Sequence, residues 1–282
     1  MSDDIQTRPA PPADERLAYG DDPSQFGDLR LPRSRGPHPL VVVLHGGWWH
    51  SEVDLRYMGH LAAALTCQGM ATWNVEFRRL GASGGGWPHT FLDVADAVDH
   101  VAALARRFPI DMSRIALVGH SSGGHLAMWV AGRRNVGPSS GIYRPPRSTV
   151  RGVICVAGAV DLRMAQSLGF RDGFTNRLVV EDLLGGSPDR VPERYRAASP
   201  AELLPLGVPQ VLLHGTADEI APIAVTERYL SAARNAHDRV TYIRIAGADH
   251  FDPIDPESRA FSYVRDAALD LVEAPVRQPV RS

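Results

Sequence analysis

No apolar run in this 282-residue chain approaches the roughly 18 residues that a bilayer-crossing helix needs, so no membrane-spanning helix is expected. Net charge is nearly absent: 30 Lys and Arg against 32 Asp and Glu leave −2 at pH 7, without a basic stripe. Neither nucleic acid nor an acidic membrane is therefore the expected partner. Cysteine is scarce. Cys67 and Cys155 fall in apolar segments far apart in sequence, the pattern of buried thiols rather than of a disulfide. Residues 1–16 are acidic and Pro-rich with no apolar core, so no secretory signal is expected and the cytoplasm is the expected address. Also lacking are a His, Asp and Glu cluster at metal-ligand spacing, a Gly-rich dinucleotide fingerprint and an internal repeat. No metal or other cofactor is expected.

What is present suits a globular protein with a substantial core. Residues 1–16 read as a flexible N-terminal tail, and 17–282 as a single domain. Residues 25–32 alternate apolar and polar side chains as an outer strand does. Residues 39–44, 114–118, 150–156 and 209–214 are apolar runs of buried strands, with further strands at 70–77 and 240–245. Helical spacing intervenes from Asp54 to Leu65, from Thr90 as a cap to Leu104, and over 224–234 and 256–272. Strands thus alternate with helical crossovers, which predicts a mostly parallel central sheet flanked by helices on both faces. Residues 133–147 read as a surface loop, and 164–204, without strong strand periodicity, as a small lid-like insertion.

One stretch organises the chemistry. In Gly119-His120-Ser121-Ser122-Gly123, an apolar strand runs through a tight turn into a helical pattern carrying Leu126, Trp129 and Val130 on one face. A serine at such a turn presents its Oγ at the top of a sheet, and Gly119 and Gly123 are the small neighbours that let strand and helix approach. The helix that follows directs free N–H groups at the same point. A second Gly-rich loop, His45-Gly46-Gly47-Trp48-Trp49, follows an early buried strand. The amides of Gly47, Trp48 and Ser122 are the candidate oxyanion donors, and His45 is expected to brace the loop. Glu76, Arg78 and Arg79 read as a structural charge cluster.

A serine hydroxyl needs a histidine to accept its proton and a carboxylate to orient that histidine. Among 11 histidines, His250 stands just beyond the last strand, and Asp218 just beyond the strand before it. His120 and His125 lie too close to Ser121 in sequence to come from an opposing loop, and His214 precedes the acid. Asp161, Asp249 and Asp252 compete with Asp218, whose turn follows the last strand but one. Trp49, Trp87 and Phe251, with Trp48, are candidates for an aromatic substrate pocket.

With these motifs in place, residues 17–273 resemble the α/β-hydrolase family. The loop at 45–49 is similar to the His-Gly-Gly-x-Trp loop of arylformamidases (kynurenine formamidases) and related small bacterial carboxylesterases. Glu76-Phe77-Arg78-Arg79 is similar to their Glu-Tyr-Arg-Arg segment, with Phe77 replacing tyrosine. The resemblance implies an α/β-hydrolase fold and a Ser121, Asp218 and His250 triad. Expected substrates are small carboxylic esters, with an aryl formamide such as N-formylkynurenine as the alternative and a non-catalytic binding protein on the same fold as the reading from another class. The sequence leaves a homodimer open.

Overall fold

In a computed structural model, which describes residues 5–81, 84–171 and 173–274, the apolar run at 40–44 lies in strand β3 (His38–Leu44). Leu40, Val42 and Leu44 enter one buried cluster and Val41 and Val43 another. A strand covered on both faces requires this, because successive side chains point to opposite sides. Before it come β1 (Glu15–Ala18) and β2 (Phe26–Arg30). After it come β4 (Ala71–Val75), β5 (Ile110–His120), β6 (Gly152–Val156), β7 (Gln210–Gly215) and β8 (Val240–Ile245). The strands form one sheet in the order β1-β2-β4-β3-β5-β6-β7-β8. From β4 to β8 along that order every pairing is parallel, whereas β2 runs antiparallel to both β4 and β1. The mostly parallel sheet expected from the sequence is therefore present.

Helices α1 (Gly59–Cys67) and α9 (Phe261–Glu273) cover the face of Val41 and Val43. The opposite face is covered by α2 (His89–Asp99), α3 (Val101–Leu104), α4 (Ser122–Gly132), α5 (Leu162–Ser167), α6 (Val179–Leu184), α7 (Pro192–Ala198) and α8 (Ile223–Asn235). Every residue of α4 is buried. Such a helix is held by the packing around it, not by an amphipathic stripe. Because β3, β5, β7 and β8 are parallel, the loops that follow them all leave the same edge of the sheet, where the site is built.

The fold corrects several expectations. Residues 5–16 are not a loose tail: Ile5 is buried against the α1 and α9 core, Arg8 pairs with Asp255 and Glu257, and β1 joins the sheet. Residues 1–4 lie outside the described residues. Cys155 is buried as expected, but Cys67, at the end of α1, is exposed; both are free. Thr90 does not cap α2. It lies inside the first turn, where its hydroxyl donates to Arg78 O and accepts from the Gly86 amide. The segment 133–147 is partly internal, since Ile142 is buried and the Arg133 guanidinium is held by Ala95 O and Asp99. The insertion at 164–204 does contribute to the core: Leu183, Leu184 and Tyr195 are fully buried. Leu168 and Phe174, each 49% exposed, are large apolar side chains that stand out from it.

Candidate active site

Ser121 sits between β5 and α4 at φ 55° and ψ −123°, a left-handed backbone that strains any residue with a Cβ. Close approach of three segments holds it there. A Cβ on Gly119 would lie 2.2 Å from Gly123 O, and one on Gly123 2.2 Å from Leu44 O, so strand, helix and the end of β3 meet backbone to backbone. The Ser121 amide donates to Val156 O at 2.8 Å. Its hydroxyl has no hydrogen-bond partner among the described residues and opens onto a small pocket.

The loop after β3 turns through three consecutive left-handed residues: Gly47 at φ 101°, Trp48 at 58° and Trp49 at 56°. Gly47 also has no room for a side chain, because a Cβ there would meet Val53 at 2.3 Å. This winding turns successive amides to one side, as in an anion-binding nest. Among the described residues the amides of Gly47, Trp48 and Ser122 have no acceptor, Ser122 because it opens α4. The neighbouring amides are engaged: Gly46 N–H donates to Tyr57 Oη at 2.5 Å and Trp49 N–H to Ser122 Oγ at 3.2 Å. His45 braces the loop as expected, with Nδ1 on Gly46 O, Nε2 3.1 Å from Glu76 Oε1 and its ring stacked on Phe77. Arg79 pairs with the same Glu76 oxygen and Arg78 with Asp93, so the cluster is structural. Burial would raise the Glu76 carboxyl, but the charge and hydrogen bond of His45, the Arg79 charge and the Phe77 amide lower it below its ordinary value.

Asp218 and His250 come together from the loops after β7 and β8. His250 Nδ1 lies 2.7 Å from Asp218 Oδ2, with both side chains buried. The other carboxylate oxygen accepts from the amides of Ile220 and Ala221. Burial would raise the Asp218 carboxyl, but hydrogen bonds from His214 and His250, the His250 charge and the Ala221 amide hold it well below the usual carboxylate range. The competing acids are elsewhere. Asp161 caps α5 and pairs with Arg228, while Asp249 and Asp252 hydrogen-bond backbone within the His250 loop.

Sequence proximity gave no reason to expect that His120 would touch His250, yet it does. His120 Nε2 lies 2.9 Å from His250 O, and its Nδ1 lies 3.0 Å from Tyr57 Oη. The partners assign the protons: the Gly46 amide donates to Tyr57, Tyr57 to His120 Nδ1, and His120 Nε2–H to the His250 carbonyl. Burial and the nearby His250 charge push His120 well below its ordinary value, so it stays neutral, as this chain requires. One relay therefore joins the donor loop, the residue before Ser121 and the backbone of His250.

The pocket at Ser121 is lined by Trp48, Trp49, Ser122, Ala157, Ala159, Phe170 and Ala221. Its free space of about 10 Å³ is that of one water molecule. Of the aromatic candidates, Trp48 and Trp49 line it, and Trp49 is anchored by its indole N–H on His125 Nδ1. Trp87 does not; it packs against Phe91 and under Arg194, on a separate surface cleft. Phe251 also does not line it, but packs against the rings of His120 and His250. Phe170, set edge-on to Trp48, was missed, because its insertion carries no pattern that points at the site. Among the described residues no group of three or more His, Cys, Asp or Glu could hold a metal ion, and no helix is long and apolar enough to cross a membrane.

Residues 28–232, more than half of the chain, match the BD-FAE family. The chain belongs to the BD-FAE family. It is similar to esterase LipC of Mycobacterium tuberculosis (strain ATCC 25618 / H37Rv), 30% identical over 251 residues that cover 85% of this chain and 60% of that protein. It is also similar to a probable isoprenylcysteine alpha-carbonyl methylesterase of Oryza sativa subsp. japonica, 23% identical over 84% of this chain and 57% of that one. The chain thus spans about 60% of the length of these relatives. Among solved structures, a truncated carbohydrate esterase from gut microbiota superposes with a TM-score of 0.76, at 21% identity over 95% of this chain and 98% of the other. Esterase B from Lactobacillus rhamnosis (HN001) gives 0.73, at 19% identity over 92% and 87%. The fold of this BD-FAE member is the α/β-hydrolase fold.

Proposed function

We propose that this protein is a serine hydrolase that cleaves small carboxylic esters through an acyl-enzyme on Ser121. The observation that carries the reading is the 2.7 Å Asp218–His250 hydrogen bond at the sheet edge where Ser121 is held in a left-handed turn. Asp218 fixes His250 with its proton on Nδ1, which leaves Nε2 to accept the Ser121 proton as Oγ attacks the ester carbonyl. The oxyanion so formed takes hydrogen bonds from the amides of Gly47, Trp48 and Ser122, which donate to nothing else among the described residues. His250 then gives its proton to the departing alcohol. Water attacks the acyl group with His250 again as base, and the proton returns to Ser121. The chemistry needs no cofactor, and the esterase names of the relatives support it.

The pocket's lining by Trp48, Ala157, Ala159 and Phe170 supports a small apolar acyl group. The 45–49 loop keeps hydrolysis of aryl formamides such as N-formylkynurenine as a second reading. Initial rates on p-nitrophenyl acetate, p-nitrophenyl butyrate and N-formylkynurenine, with wild type and Ser121→Ala, test both. The expected order is acetate above butyrate and both above the formamide, with a loss on the order of a million-fold in the variant. A higher kcat/KM for N-formylkynurenine replaces the esterase reading with the formamidase one. Equal, slow rates in both proteins would leave a binding protein on a hydrolase fold.

A further inference from the structure

His214, the penultimate residue of β7, is buried, with its Nε2 3.2 Å from Asp218 Oδ2 and 2.9 Å from Ala221 O. Its Nδ1 lies 2.9 Å from the Thr226 hydroxyl of α8. An imidazole nitrogen facing two acceptors must carry a proton, so Nε2–H is a donor shared between them, and the Thr226 hydroxyl can satisfy Nδ1. Asp218 Oδ2 therefore faces two imidazole nitrogens, His250 Nδ1 at 2.7 Å and His214 Nε2 at 3.2 Å. With the two amides on Oδ1, the carboxylate is surrounded by four donors. Neither the sequence position of His214 nor the proposed proton transfers use this second histidine.

The structure assigns His214 a positioning role: its Nε2–H orients the Asp218 carboxylate toward His250 and shares the negative charge of the oxygen that His250 depends on. This inference rests on the proposed function of the same site. The sharing has a definite sign. A donor that competes for Oδ2 weakens the stabilisation of a protonated His250, so His214 makes His250 a readier proton donor to the leaving group. Its second bond, to Ala221 O, ties the acid's turn to the wall of the Ser121 pocket. The other groups facing His250 leave this sign unchanged. His120, from β5, is neutral and touches the His250 backbone; Tyr57 reaches it only through His120. Asp249 and Asp252 are occupied by amides of their own loop.

The test is the titration of the His250 imidazole, followed by nitrogen-resolved NMR in the full chain, beside kcat and KM across pH. His214→Phe keeps a ring but no donor. The expected result is a midpoint raised by roughly half a pH unit, the acid limb of kcat/KM moved up with it, and kcat lowered about ten-fold at unchanged KM. His214→Gln, which retains a donor near the Nε2 position, is expected to restore most of both. Thr226→Val leaves His214 in place but frees its tautomer; it should move the midpoint the same way by less, and it reads the effect if His214→Phe does not fold. Identical midpoints in wild type and the folded variants, or a Gln variant as impaired as the Phe variant, would overturn the role and leave His214 a packing residue. The titration needs no substrate. A wild type that hydrolyses nothing would overturn the proposed function while leaving this result readable.

Discussion

Tyr57 shows how much of the site depends on a single hydroxyl. It is buried, and burial pushes its phenol well above its ordinary value, so it remains a donor to His120 while accepting from Gly46. In Tyr57→Phe the Gly46 amide is left buried without a partner, a cost of about 1–3 kcal/mol that the 45–49 loop can escape only by moving. Displaced oxyanion donors weaken the transition state more than the bound substrate. The expected result is kcat lowered roughly ten- to a hundred-fold with little change in KM and an unchanged circular dichroism spectrum. An unchanged kcat would show that the relay has no part in placing the loop. No sequence pattern announced Tyr57 or His214, because each acts through contacts that exist only after β3, β5, β7 and the loops between them are assembled.

At the scale of elements, the β5–α4 turn was legible because its signal is local: an apolar strand, two glycines around a serine, and an apolar helix, all within 23 residues of the element pair. The buried strands were legible for the same reason. The insertion between β6 and β7 was not, since its short helices α6 and α7 bury side chains in the core while Phe170 reaches the Ser121 pocket against Trp48. Trp87 was misplaced because a tryptophan after three glycines looks like a site residue, whereas its neighbours Phe91 and Arg194 fix it on another cleft. If Phe170 closes the acyl side of the pocket, Phe170→Ala should raise the butyrate to acetate ratio of kcat/KM by about ten-fold, through removal of an aromatic wall rather than any change in chemistry. An unaltered ratio would place the acyl group elsewhere.

Over the whole molecule, the parts least visible in sequence are those joined across the greatest separations. Arg8 meets Asp255 across 247 positions, and Ile5 packs with α1 and α9, so a Pro-rich segment that reads as a tail is bound to the domain. Buried histidines give the molecule a stability that depends on pH. His125 accepts from Trp49 and donates to Ala198 O, and burial lowers it from 6.5 to about 4. The unfolded chain takes up that proton first, so stability is full above 6.5 and declines as pH falls toward 4. From His125 alone the loss should reach about 2 kcal/mol by pH 5, with His120 adding to it. Urea unfolding between pH 7 and 5 measures this, and a flat profile would contradict it. Asp218, held well below the carboxylate range, stays ionised through that window and contributes no slope there.

The most direct test of the central claim is stoichiometric labelling with a fluorophosphonate, followed by mass spectrometry of the folded protein and its peptides. One adduct per chain, on Ser121 and slowed severely by His250→Ala, is the expected result. Failure to label, or an adduct on another residue while Ser121 stays free, would contradict the account.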